Sequence, residues 1–241
     1  MSEYNVRLRS NYLDGVCEVD LVLPNPFVGH DPERFYRSGR KYPVLWLLHG
    51  RPQELKDWIT YTFVPRLGIW RNVILVCPHC PAADFRDHED VGEGYRYQQF
   101  FFRELMPFIQ NWFPASAKRE ENLLAGYGSG GTAVCRYAAL WPDRFGAVCP
   151  IRPSSETDIE DCLRQADPPK IFLLAADGSV VSTHPKVRFL AVPGDGLPLA
   201  EKTVEAFLEA CGFPEIEKKP NTYPILPGVH DLPEEEGITI H

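Results

Sequence analysis

The fold turns on the stretch Asn122-Leu123-Leu124-Ala125-Gly126-Tyr127-Gly128-Ser129-Gly130-Gly131, followed by residues 132–140. A short apolar run of strand length gives way to a glycine-rich turn and then to a helical pattern that closes at Trp141-Pro142-Asp143. Residues 42–48, 73–77 and 145–149 repeat the opening of that grammar as short apolar runs. Unbroken runs of this kind are typical of parallel strands covered by helices on both faces. Between them, residues 97–112 carry Phe100, Leu105, Phe108, Ile109 and Trp112 at helical spacing. Strand, helix, strand in alternation predicts an α/β fold with a mostly parallel central sheet flanked by helices.

The margins of this pattern are less regular. Residues 16–23 alternate apolar and polar and stop at Pro24-Asn25-Pro26, which predicts an antiparallel edge strand with one wet face. Residues 170–175 and 187–192 both read as strands, yet the gap between them is short for a helical crossover. One of the two is therefore expected to be an added or antiparallel element. Residues 198–211 predict a helix and 222–226 a last strand.

Composition narrows the class. The 241 residues are 44% hydrophobic and 24% charged, and 23 prolines are spread along the chain without marking a linker, so a single domain over residues 1–241 is expected. No run is long and apolar enough to cross a bilayer, and residues 1–7 lack an apolar leader core, which makes the cytoplasm the expected location. The formal charge of −8 argues against a nucleic-acid partner. Seven cysteines, scattered and odd in number, read as thiols rather than a disulfide framework. The close pair in Cys77-Pro78-His79-Cys80 lacks the second ligand pair that a zinc site requires, so no metal is expected.

Ligands of open α/β sheets sit beyond the carboxyl ends of the strands. Four segments stand there: His49-Gly50-Arg51-Pro52 with Asp57-Trp58, the glycine turn 126–131, Pro193-Gly194-Asp195-Gly196, and Pro227-Gly228-Val229-His230-Asp231. With these residues in place the chain resembles the α/β-hydrolase fold. Within that fold it is similar to the esterase D-like group of S-formylglutathione hydrolases, tributyrin esterases and feruloyl esterases. The likeness covers most of the chain: an apolar strand ending in His49-Gly50, the aromatic segment with Glu104-Leu105-Met106-Pro107, the Ala-Gly-x-Ser-x-Gly-Gly elbow standing here as residues 125–131, Trp141-Pro142-Asp143-Arg144-Phe145, and Gly228-Val229-His230-Asp231.

The resemblance implies hydrolysis of small carboxylic esters or thioesters by acyl transfer to water, with no metal or organic cofactor. In that group the nucleophilic serine stands fourteen residues before the proline of the Pro-Asp pair, and counting back from Pro142 gives Gly128. Glycine tolerates the strained turn of an elbow but brings no attacking atom. Ser129 is the rival nucleophile; that register would put Tyr127 two residues before it, where close packing favours a small residue. Otherwise Ser129 lends its backbone N–H to an oxyanion, or caps the helix expected from Thr132. The resemblance makes His230 the general base and Asp195, 35 residues before it, its acid, with Asp177 as the competing acid. Gly50 and Arg51 would offer oxyanion donors, and His49 would shape their loop. Arginine is unusual at that place and suits an acidic ligand group.

Three readings stay open on sequence alone. They are a working esterase using Ser129 or an activated water, a pseudohydrolase that binds a small ligand or partner in an inherited pocket, and a serine esterase whose residue 128 has been substituted. The expected partner is a small ester or thioester, and a homodimer is the generic expectation for such a protein.

Overall fold

The computed structural model describes residues 2–26, 31–51, 57–81, 83–88, 95–153, 157–174, 184–194 and 196–216. Two compact units emerge, residues 1–25 with 39–216, and residues 26–38 with 217–241. In the second, the described helix α1 (Pro32–Tyr36) starts on Asp31, whose carboxylate accepts from the N–H groups of Glu33 and Arg34. The sheet and helices described next belong to the first unit.

Its sheet has eight strands: β1 (Ser2–Ser10), β2 (Gly15–Leu23), β3 (Val44–Leu48), β4 (Ile74–Pro78), β5 (Asn122–Tyr127), β6 (Ala147–Ile151), β7 (Lys170–Leu174) and β8 (Val187–Leu190). Their spatial order is β1-β2-β4-β3-β5-β6-β7-β8. From β4 to β8 all neighbours are parallel, while β1 and β2 join antiparallel. β3 lies between β4 and β5, so the chain leaves it first to one side and then to the other. That reversal of order is where an open sheet leaves a crevice at its carboxyl ends.

Two sequence expectations change. Residues 16–23 form a strand, but not at the edge: β1 pairs with β2 over its whole length, from Ser2↔Leu23 to Ser10↔Gly15. β1 is largely exposed and carries charges, so its period is faint; β2 buries Cys17, Val19, Leu21 and Val22. Second, β7 and β8 are parallel neighbours, registered Ile171↔Val187 to Leu174↔Leu190, and neither is antiparallel. The residues between them number about a dozen, which is the lower limit for a parallel connection rather than below it. The strand expected at residues 222–226 lies outside the described residues.

Helices cover both faces. On one, α3 (Val64–Trp70) and α8 (Gly196–Ala210) set Val64, Val204 and Phe207 against Leu45, Leu47 and Leu75. The other face is aromatic: Trp46 lies edge-on to Phe101, Phe101 reaches Tyr137, and Phe102 stacks on Trp141 at 3.9 Å. The expected helix over 97–112 is there as α4 (Tyr97–Phe100), a π-helical turn at Phe101–Leu105, and α5 (Met106–Trp112). Pro107 supplies no N–H to the turn before it, and the wider winding lets Phe100, Phe101, Phe102 and Leu105 all face inward.

All seven cysteines are free thiols, six of them buried. Burial pushes Cys17, Cys162 and Cys211 up to about 12, the state of structural rather than reactive thiols. No helix among the described residues is long and apolar enough to cross a membrane.

Asn122 fixes the start of β5. Its buried amide accepts from Trp46 Nε1 at 3.0 Å and donates to the carbonyls of Ser116 at 3.0 Å and Lys118 at 2.8 Å. Replacing it strands the indole N–H and leaves two carbonyls short of a donor. We expect Asn122→Leu to lower unfolding free energy by about 3 kcal/mol in urea titration. Adding Trp46→Phe should recover part of that loss, because the orphaned donor goes with it.

Candidate active site

β5 runs directly into α6 (Ser129–Leu140), and Gly128 is the residue between them. Its backbone sits at φ 58°, ψ −118°, a conformation that side-chain-bearing residues rarely adopt. The Gly128 N–H donates to Ile151 O at 2.9 Å across the mouth of β6, and the Gly128 carbonyl accepts from Thr132 N at 3.0 Å to begin the helix. The helix thus starts three residues earlier than periodicity suggested, without a side-chain cap.

Three glycines around this point have no room for a side chain. A Cβ on Gly126 would stand 2.5 Å from Gly130 O, one on Gly130 2.4 Å from Leu48 O, and one on Gly131 2.7 Å from Ile151 O. The closest contacts therefore fall two residues before and two after Gly128, with Gly128 itself bearing the unusual dihedral. That is the steric pattern of a nucleophile elbow. Ser129 occupies the first position of the helix and is buried; the residue two before it is Tyr127, whose ring packs on the core. The Ser129 N–H belongs to the first turn of the helix, whose backbone donors point out of its N-terminus.

The neighbouring turn follows β3. His49 uses both ring nitrogens on backbone: Nε2 accepts from Cys80 N at 2.9 Å, which places the proton on Nδ1, and Nδ1–H donates to Gly50 O at 2.8 Å. Burial lowers the His49 pKa, against an opposing contribution from the Gly50 carbonyl, so the ring is a neutral clamp holding the β3 and β4 turns together. Gly50 is buried and Arg51 exposed. The Asp57-Trp58 pair also shapes this turn. Asp57 caps α2 (Trp58–Tyr61) through the N–H groups of Ile59 and Thr60, and Trp58 Nε1 donates to Leu48 O at 3.1 Å. Its burial raises the Asp57 pKa, but the hydrogen bonds from Thr60 and Ile59 outweigh it and hold the carboxyl low.

Gly128, Ser129, Gly50 and Arg51 thus lie at the carboxyl ends of the adjacent strands β3 and β5, where Gly130 meets the carbonyls of Leu48 and His49. Asp195, Asp177 and His230 lie outside the described residues. Among the described residues no group of three or more His, Cys, Asp or Glu is disposed to hold a metal ion.

A family model described as "Putative esterase" matches residues 10–163. The chain belongs to this esterase family. Esterase Rv1288 of Mycobacterium tuberculosis is 29% identical over 122 residues, covering 48% of this chain and 26% of that protein. The acetyl esterase of Caldicellulosiruptor saccharolyticus is 28% identical over 105 residues, covering 44% and 39%. The chain therefore spans well under half the length of these relatives. Among solved structures, the serine hydrolase FphF of Staphylococcus aureus superposes with a TM-score of 0.72 at 15% identity, covering 87% of this chain and 98% of that one. The S-formylglutathione hydrolase FrmB of the same organism gives 0.66 at 16% identity, covering 87% and 98%. At such identities the likeness is one of fold, and that fold is the α/β-hydrolase.

Two outcomes follow for this esterase-family turn. Gly130→Ala must force the helix off β3, and we expect a loss of about 3 kcal/mol or more in urea titration. The depressed His49 pKa means the unfolded chain takes up this proton first. Stability should therefore fall as pH drops below about 6.5 and stop falling, for this group, at the folded-state value. A His49→Gln variant should show a shallower decline in urea midpoint between neutral and mildly acid buffer than the native protein.

Proposed function

We propose that the Gly128 elbow and the Gly50 turn form the reaction site of an esterase-like hydrolase for small carboxylic esters or thioesters, with water as the attacking group. The observation that carries this reading is the turn at Gly128: its backbone has the dihedral of an elbow without a side chain, and Gly126 and Gly130 on either side leave no room for a Cβ. The substrate carbonyl would rest where the Ser129 N–H and the Gly50–Arg51 turn can donate to a developing oxyanion. His230, oriented by Asp195, would take a proton as the water oxygen bonds to the carbonyl carbon. It would then return that proton to the alcohol or thiol as the acyl bond breaks. The esterase relatives support the chemistry, and the absence of an alkoxide nucleophile makes a slow reaction the expectation. Attack by Ser129 fits less well, because its side chain leaves the first turn of a buried helix start.

The test is hydrolysis of p-nitrophenyl acetate. The native protein should turn over slowly, Ser129→Ala should stay within about threefold of it, and Gly128→Ser should gain on the order of a hundredfold or more in kcat/KM. The same serine should cost about 1–3 kcal/mol of stability, visible as a lower Tm, because it must adopt the Gly128 dihedral. Loss of native turnover in Ser129→Ala, or a folded Gly128→Ser that stays inert, would sink the proposal. A native protein no faster than its His230→Ala variant would make the pocket a binding site alone.

A further inference from the structure

The antiparallel margin of the sheet gathers polar residues on one face. Asn5 pairs with Asp20 and Arg7 with Glu18 between β1 and β2, and Asp20 pairs with Cys77 between β2 and β4. His79, two residues past Cys77, continues that face, and its backbone N–H donates to Glu18 O at 2.9 Å. The His79 ring Nε2 is 2.7 Å from Asp20 Oδ2, while Asp20 Oδ1 accepts from Asn5 Nδ2 at 2.8 Å. A neutral imidazole so placed donates from Nε2 and presents a lone pair on Nδ1. In that neutral form the ring is an oriented hydrogen-bond acceptor, built from three strands, that the elbow chemistry does not use.

His79 lines a cleft of about 380 Å³, within the size range of small-molecule sites. Val16, Pro81 and Ala83 supply apolar wall, and Gly50 closes one side. The other polar side chains here are already engaged. His49 has spent both nitrogens on Gly50 O and Cys80 N, and Arg7 Nε faces Glu18 Oε1 at 3.5 Å. His79 Nδ1 carries no hydrogen bond from a described residue. The occupant must therefore bring a donor. Arg7 at the cleft opposes a cation, and Glu18 and Asp20 oppose an anion, which leaves a neutral O–H.

We propose that this cleft binds a small neutral molecule bearing a hydroxyl on an apolar or aromatic body, its O–H donating to His79 Nδ1. The site goes beyond the ester-hydrolysis reading and stands without it.

Phenol is the probe, and anisole, the same ring with its donor methylated, is the control. In amide-resolved NMR titration of the native chain, phenol should shift Gly50, Cys80 and Ala83 saturably, and anisole should bind about tenfold or more weakly. In His79→Phe the preference for phenol over anisole should vanish, while His79→Gln, which keeps an acceptor, should retain part of it. Gly128→Ser should bind phenol as the native chain does, whether or not it hydrolyses ester, so failure of one reading is distinguishable from failure of the other. Equal affinity for phenol and anisole in the native protein, or no shift at those three amides up to the solubility of phenol, overturns the proposal.

Discussion

Gly130 allows helix α6 to begin almost in contact with the backbone of β3. A single carbon added there would lie 2.4 Å from one carbonyl and 2.5 Å from the next. This approach sets the height of the helix above the sheet, which in turn sets how far the chain must bend at Gly128 to climb from β5. It also brings the end of β3 beside the elbow, and through His49 the end of β4 as well. The crevice at the strand-order reversal exists in any sheet of this topology. Its shape here is determined by that one backbone-to-backbone contact, with the aromatic layer around Trp46 and Phe101 filling the space behind it.

Much of this was legible in the chain. The apolar runs ending at Leu48, Cys77 and Gly126 report strands buried on both faces, and burial leaves a strong mark on composition. The elbow was legible through the resemblance of residues 125–131 to the Ala-Gly-x-Ser-x-Gly-Gly pattern, and in the structure Gly126 and Gly130 meet close backbone contacts while Gly128 bears a left-handed φ. What was hidden has physical reasons too. β1 is an exposed strand whose partner lies on one side only, so half its residues are free of the core and its period fades. The parallel pairing of β7 and β8 depends on the path between them, and periodicity carries no information about path. His79 carried no distinctive signal in sequence; cross-strand register, which a single segment cannot reveal, gives it Asp20 as a partner.

His49 shows how a titratable residue becomes a structural one. Both nitrogens are bound to backbone and its environment disfavours charge, so the ring acts as a rigid spacer between two turns. His79, only 6.1 Å away between ring centres, is held from one side by a carboxylate and meets no hydrogen-bond partner among the described residues on the other. The two rings differ in role because one meets carbonyl and amide partners at both edges and the other meets an acid at one.

The dihedral at Gly128 has a consequence for how this position can change over time. Any other residue there bears the strain of a left-handed backbone, and only a nucleophile gives the molecule something in exchange. Alanine, asparagine or threonine would carry the strain and return nothing. With glycine in place the turn is relaxed, and folding alone then favours keeping it. A serine introduced at such a bend would carry that strain, so whatever chemistry it adds comes with a loss of folding stability.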